Sequence, residues 1–347
     1  MIYIVTFLFS LLFMNWAMKN KSKTSLAVLH ILAIIPPVFL LTFRAENCGT
    51  DTTHYTRIYS FLFTDSVGTY LATTRLELLF ALLMYCLRSL DLSVEYLFFI
   101  CGLLTVVPVY MGAMILKRNA NPLLVMTLFY LMFYQYSFNI VRQSIAMSLF
   151  FLAVVLLIEN KKIWSIALGI MAILFHTVAV VYFIVFFAYS FRNKLSFKYL
   201  ILNVLLLIIL VFVFQTFSHD KIEAFERYME STENVSIDNS YLIEMIMNFS
   251  IVLFAWKKNK LILGNFLLII AGMSLTIMLS GSFVLYGFRI ANCIDILLIL
   301  YIPIILKSFN RKNYTTLYLA FAVFFWWFVF VYNGSGRSYP YILSPFF

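Results

Sequence analysis

The sequence predicts an all-α, polytopic integral membrane protein. Three observations predict it. Of 347 residues, 63% are hydrophobic and 12% charged, with mean hydropathy +0.96, more apolar side chain than a soluble core of this length needs. Phe (38) and Tyr (22) are frequent, which suits lipid-facing surfaces and interfacial belts. Apolar runs recur from residue 2 to residue 332, with basic clusters between them. The net charge of +10 therefore reads as topology, because Lys and Arg accumulate in cytoplasmic loops, and not as nucleic-acid binding.

A membrane span needs about 20 apolar residues. The first run, 2–18, has no basic residue ahead of it and is followed by Lys19, Lys21 and Lys23, so it reads as a retained span and not a cleaved signal peptide. Further runs cover 25–43, 94–116, 122–137, 140–158, 163–175, 177–191, 199–217, 242–256, 261–280, 288–307 and 314–332. Run 76–89 is apolar but short, with Arg75, Glu77 and Arg88 around it. No repeat and no soluble domain stands out, so residues 1–347 read as a single transmembrane domain.

Placing the basic clusters (Lys19 to Lys23, Lys117/Arg118, Lys161/Lys162, Arg192 to Lys198, Lys257 to Lys260, Lys307 to Lys312) all inside orients the set. That requires 76–89 to be re-entrant or interfacial, and residues 163–190 to cross twice with a break at His176. The result is about 12 crossings with both termini outside. A single long helix at 163–190 with a true span at 76–89 is the alternative, and it leaves two basic clusters outside. In the preferred scheme loop 44–75, Arg142, His176, loop 218–241, Arg289 and the tail "GSGRSYPYILSPFF" share the outer face. "HDKIEAFERYMEST" (219–232) reads as an amphipathic helix on the outer interface.

Several of these residues carry chemistry. Arg142, with Gln143 beside it and Asn139 before it, gives an apolar helix a polar start. A snorkelling interfacial arginine would look the same, but an intramembrane cation also marks a bundle interior or wet cavity, and a helix N-terminus favours anions. The loop "FRAENCGTDTTHYTRIY" packs Arg44, Glu46, Asp51, His54, Tyr55, Arg57 and Tyr59 together, with Gly49 allowing an unusual turn. Asp51, Tyr55 and Tyr59 share a face if 51–60 is helical, and Thr50 or Asp51 could cap it. A solvated outer loop is the bland reading; carboxylates, arginines and tyrosines together are also the inventory of a sugar-phosphate site. His176 interrupts "ILFHTVAV" as either a hydrogen-bonded core group or a base. Arg289 starts another helix from outside. Glu77, Glu244 and Asp295 are intramembrane carboxylate candidates, with pairing to an arginine such as Arg289 as the plain alternative.

Other chemistries find no support. The histidines show no ligand spacing, so no metal is expected. The four cysteines form neither a disulfide framework nor a CxxC site. There is no Gly-Lys-Thr phosphate loop and no GxSxG elbow, so ATP hydrolysis and cofactor chemistry are not expected.

The elements "R…GTD…Y…Y" (Arg44, Gly49, Asp51, Tyr55, Tyr59), "FNIVRQSIA" (Arg142, Gln143, Ala146), "LFHTVA" (His176, Thr177, Ala179) and "YPY" (Tyr339, Pro340, Tyr341) resemble the EpsG family of Wzy-type polymerases of bacterial O-antigen, capsule or exopolysaccharide. The resemblance implies a glycosyltransferase of the bacterial inner membrane with its site facing the periplasm or exterior. An undecaprenyl-diphosphate-linked glycan would pass to a lipid-linked repeat unit, without cofactor or nucleotide, and a flippase and a chain-length regulator would be the protein partners. Mapped onto this chain, Arg142 would hold the diphosphate with Arg289 and Arg44 assisting. Asp51 or His176 would be the base, Tyr55 and Tyr59 would stack on sugars, and Gln143 and Glu77 would contact substrate. A lipid-linked-glycan flippase, a ligase and an acyltransferase remain the rival readings.

Overall fold

The computed structural model describes residues 1–62, 66–190, 192, 239–258, 263, 265–280 and 287–344. The described residues are helical, with one isolated antiparallel bridge between Arg44 and Leu343. They group into two compact units, residues 1–180 with 311–347, and residues 181–310.

In the first unit, α1 (Ile2–Lys19) and α2 (Lys23–Thr42) pack side by side, and α2 lies on α6 (Val94–Ile115). The centre is α8 (Val141–Ile158), packed against α6 and α9 (Lys162–Phe175). Every residue from Gln143 to Leu157 is buried, as expected of a helix that is apolar all round. By contrast, α1 and α2 keep most of their apolar surface outward, the signature of helices whose other solvent is lipid. Helix α7 (Pro122–Met132) rests on α1 and on α15 (Lys312–Trp326). Where α6 meets α8, Gly112 lies under the Phe151 ring so closely that a Cβ would overlap it; small residues are what allow such approach.

Helix α2 shows how the apolar sequence resolves its own backbone problem. Pro37 has no N–H to offer the carbonyl of Ala33, one turn back. Ser10 of α1 donates its hydroxyl to that carbonyl at 2.5 Å and also bonds Tyr130 Oη at 2.6 Å. In a membrane, a carbonyl left unmet costs several kcal/mol by order of magnitude, so a neighbouring helix has to supply the donor.

The second unit holds α10 (Val181–Ser190), α11 (Asn239–Lys257), α12 (Phe266–Ser280), α13 (Gly287–Asp295) and α14 (Leu298–Phe309). Helix α12 packs on α11 and α13. Glu244 and Asp295 face each other in its interior. Ser274 Oγ donates to Asp295 at 3.2 Å, and Asn248 donates to Glu244. The partners of Asp295 are thus Ser274 and Glu244, and not the arginine that sequence spacing offers.

Among the described residues seven helices are long and apolar enough to cross a membrane, and five more are apolar but shorter. The chain is thus a polytopic membrane protein, in which fewer than 12 of the described helices have the length of a span. Among the expected crossings, Pro122–Met132 has 11 residues, a rise of roughly 17 Å against about 30 Å of hydrocarbon. Helix α5 (Leu78–Ser89) has the short, non-spanning length expected of 76–89. The chain also breaks at His176: α9 ends there in extended geometry, and a 3-10 turn over Thr177–Val180 precedes α10. The predicted amphipathic helix at 219–232 and the run 199–217 lie outside the described residues.

Candidate functional site

Four side chains from four sequence regions meet in the first unit. Tyr55 comes from the middle of α3 (Thr52–Ser60), Glu77 from the residue preceding α5, Arg142 from the first turn of α8, and His176 from the break after α9. Each position is set locally. Glu77 is extended and makes no capping bond, so its carboxylate reaches away from its own helix. His176 closes the last turn of α9 through its N–H to Ala172 O at 2.9 Å, then leaves the helix. Tyr55 shares the buried face of α3 with Thr52 and Tyr59.

Glu77 is the hub. Its Oε1 lies 2.5 Å from His176 Nδ1, and its Oε2 accepts from Arg142 Nη1. Arg142 Nε donates to Tyr55 Oη at 2.9 Å. The Arg142 guanidinium also lies over Phe80, 6.0 Å from the ring centroid, and that ring sits 5.3 Å from Tyr55. Burial alone would raise the Glu77 carboxyl. The hydrogen bond from His176 and the Arg142 charge outweigh it and hold the carboxyl at about 2. Burial pushes the Tyr55 phenol up, with the Arg142 charge opposing, so Tyr55 stays a neutral hydroxyl.

This leaves two groups with unused capacity. Because Glu77 accepts at Nδ1, the neutral His176 ring carries its proton there and presents an acceptor lone pair at Nε2. Nε2 is buried and has no partner among the described residues. Arg142 spends Nε and Nη1 inward, keeps 24% of its side chain accessible, and has Nη2 outside these bonds.

Other expected residues are placed differently. Both oxygens of Glu77 are engaged within the protein, Oε2 by Arg142 and Oε1 by His176. Tyr55 and Tyr59 are 3% and 2% exposed, and Tyr59 donates to Leu92 O at 2.7 Å. Gln143 is buried within α8. Arg44 is 5% exposed, with its guanidinium between the rings of Phe98 and Phe138, and is closed off from a bulky ligand. Arg289 belongs to the second unit. Asp51 is the N-terminal cap position of α3, without a capping side-chain bond. It is half-buried, takes the Thr50 hydroxyl at 3.3 Å, and acts electrostatically on Tyr55. Beside α3, an open groove of about 810 Å³ runs past Phe43, Tyr59, Arg88, Val94, Tyr96 and Phe99.

The loop that carries Asp51 is clamped from two sides. Thr50 N–H donates to Asn139 Oδ1 at 2.7 Å. Gly49 has φ +93°, and a Cβ there would overlap the Phe138 carbonyl oxygen, so glycine is required by both strain and space. On the other side lies the tail: Gly49 N–H donates to Arg337 O, Ala45 N–H to Ile342 O and Ser344 N–H to Phe43 O, and Tyr3 Oη bonds Ser338 O at 2.5 Å. Sequence reading missed this clamp; the one signal for it was the cluster of turn-forming residues in "NGSGRSYPY".

The EpsG family matches residues 27–343 of this chain. No curated protein and no solved structure matches significantly.

Proposed function

This chain belongs to the EpsG family, a membrane family linked to exopolysaccharide biosynthesis, and on that premise we propose that it is a polysaccharide polymerase. It transfers an undecaprenyl-diphosphate-linked glycan to a lipid-linked repeat unit at the outer leaflet of the bacterial inner membrane. The proposal includes about 12 crossings, both termini outside, and the site open to the exterior.

The observation that carries the reading is the bridging of His176 and Arg142 by one carboxylate. Glycosyl transfer from a lipid diphosphate needs a proton acceptor and a cation for the leaving group. The acceptor hydroxyl oxygen forms the new bond to the anomeric carbon, and its proton passes to His176 Nε2. The bond from the anomeric carbon to the phosphate oxygen breaks, and its electron pair leaves with undecaprenyl diphosphate. Arg142 Nη2 meets the departing oxygens. Glu77 and Tyr55 are positioning residues: Glu77 selects the tautomer of His176 and steadies the developing imidazolium, and Tyr55 fixes the plane of the guanidinium. Asp51, at the loop edge, orients the sugar. The groove beside Tyr59 takes the first isoprene units, for which its aromatic walls suit.

The test is deletion of the gene followed by separation of lipid-linked and surface glycans by length. A polymerase leaves single repeats displayed outside. Retention of repeats on the cytoplasmic leaflet would identify a transporter and overturn the proposal.

A further inference from the structure

Arg44 presents a buried charge with no carboxylate partner among the described residues. Its main chain pairs with Leu343 of the tail, and its side chain turns inward. The guanidinium carbon lies 4.3 Å from the Phe98 centroid and 5.3 Å from that of Phe138. One N–H, on Nη1, donates to Ser137 O at 3.1 Å. Nε and Nη2 are buried and have no acceptor. Among the described residues Arg44 makes no ion pair.

The titratable groups that act on Arg44 include Cys48, Cys101, Tyr134, Tyr341 and Tyr3, none of them a carboxylate. Burial pushes the Cys48 thiol up, so it is no counter-charge. Tyr134 spends its hydroxyl hydrogen on Pro37 O at 2.5 Å. The Tyr341 hydroxyl is buried with no partner. The inventory here is therefore lopsided, with N–H and O–H donors, a full positive charge, and no anion. A buried arginine without a counter-charge is strongly disfavoured. A water molecule would satisfy hydrogen bonds but leave the charge.

We propose that Arg44 binds a small inorganic anion of the halide class where loop 44–48, the turn over Tyr134–Phe138 and the tail meet, through Nε and Nη2 with the Tyr341 hydroxyl as a second donor. The burial of Arg44 excludes a lipid diphosphate on size. The anion joins the first loop to the tail, and so supports the loop from which α3 and Tyr55 follow. This site does not depend on the polymerase reading, since it is read out by stability.

The experiment uses the full-length protein in detergent. Thermal unfolding is measured while chloride replaces gluconate at constant ionic strength, and repeated with bromide. The expected result is a saturable rise in Tm of about 3–6 °C in both halides. Arg44→Met should abolish that rise. Tyr341→Phe should move half-saturation to a several-fold higher halide concentration, and this second variant decides the matter if Arg44→Met does not fold. Coincident unfolding in chloride and gluconate would overturn the proposal. So would a halide effect that survives Arg44→Met or is unmoved by Tyr341→Phe.

Discussion

Glu77 Oε1 and His176 Nδ1 stand 2.5 Å apart although 99 residues of sequence separate them. The same carboxylate holds Arg142, 65 residues away from it. One carboxylate thus aligns an imidazole with a guanidinium. The first residues to test are therefore these three, and the expected effects differ for each.

His176→Gln keeps a hydrogen-bonding side chain but removes the basic ring. Loss of a general base costs roughly 10²–10⁴-fold in rate. Polymer formation from purified lipid-linked repeats should fall by that order. Wild-type rates in this variant would return the base role to Asp51.

Arg142→Lys keeps the charge and loses the planar fork that serves Tyr55, Glu77 and Nη2 at once. A fall of about 100-fold in polymer formation is expected, with chain-length ladders collapsing towards single repeats. Membrane levels, followed by immunoblot, should be unchanged. Full ladders in this variant would remove Arg142 from the leaving-group role.

Glu77→Gln tests the electrostatics through stability. The Glu77 carboxyl is held at about 2, below its ordinary value of 4.5. Its contribution is therefore complete above about pH 5 and is lost as pH falls towards the folded-state value. The variant should have a lower Tm than wild type at pH 7, and the gap should narrow steadily from pH 5 to pH 3. A gap independent of pH would mean that the carboxylate charge is not what stabilises this group.

Gly49→Ala probes the clamp. The added methyl meets the Phe138 carbonyl at a φ of +93°, a strain of order 1–3 kcal/mol. The tail at 334–344 should then become cleavable by limited proteolysis at temperatures where the wild type resists, and polymer formation should drop with it. An unchanged cleavage pattern would show that loop and tail are not coupled.

Much of this was legible from sequence, and the exceptions have a common cause. Helices, their apolar character and the break at His176 follow from local patterns, as does the shared face of residues 51, 55 and 59. Which way that face points does not. Tyr55 and Tyr59 look like open aromatic platforms in a polar loop, yet both are buried, Tyr55 beside Phe80 and Arg142 and Tyr59 bonded to Leu92 O. Arg44 reads as a loop cation, but Phe98 and Phe138, distant in sequence, enclose it. Glu77 was visible as a costly acid beside an apolar run; its two partners were visible separately. Nothing in spacing says that one carboxylate serves both, because that pairing exists only once α5, α8 and α9 have packed.

The grip of the tail on the first loop also sets an order of events during synthesis. Cys48 and Ser338, which touch in the finished molecule, are 290 residues apart. The ribosome therefore delivers Arg44, Gly49 and Asp51 long before the strand that fastens them. Nascent chains carry these residues without the partners that hold them, so the first loop takes its final form only when the tail arrives.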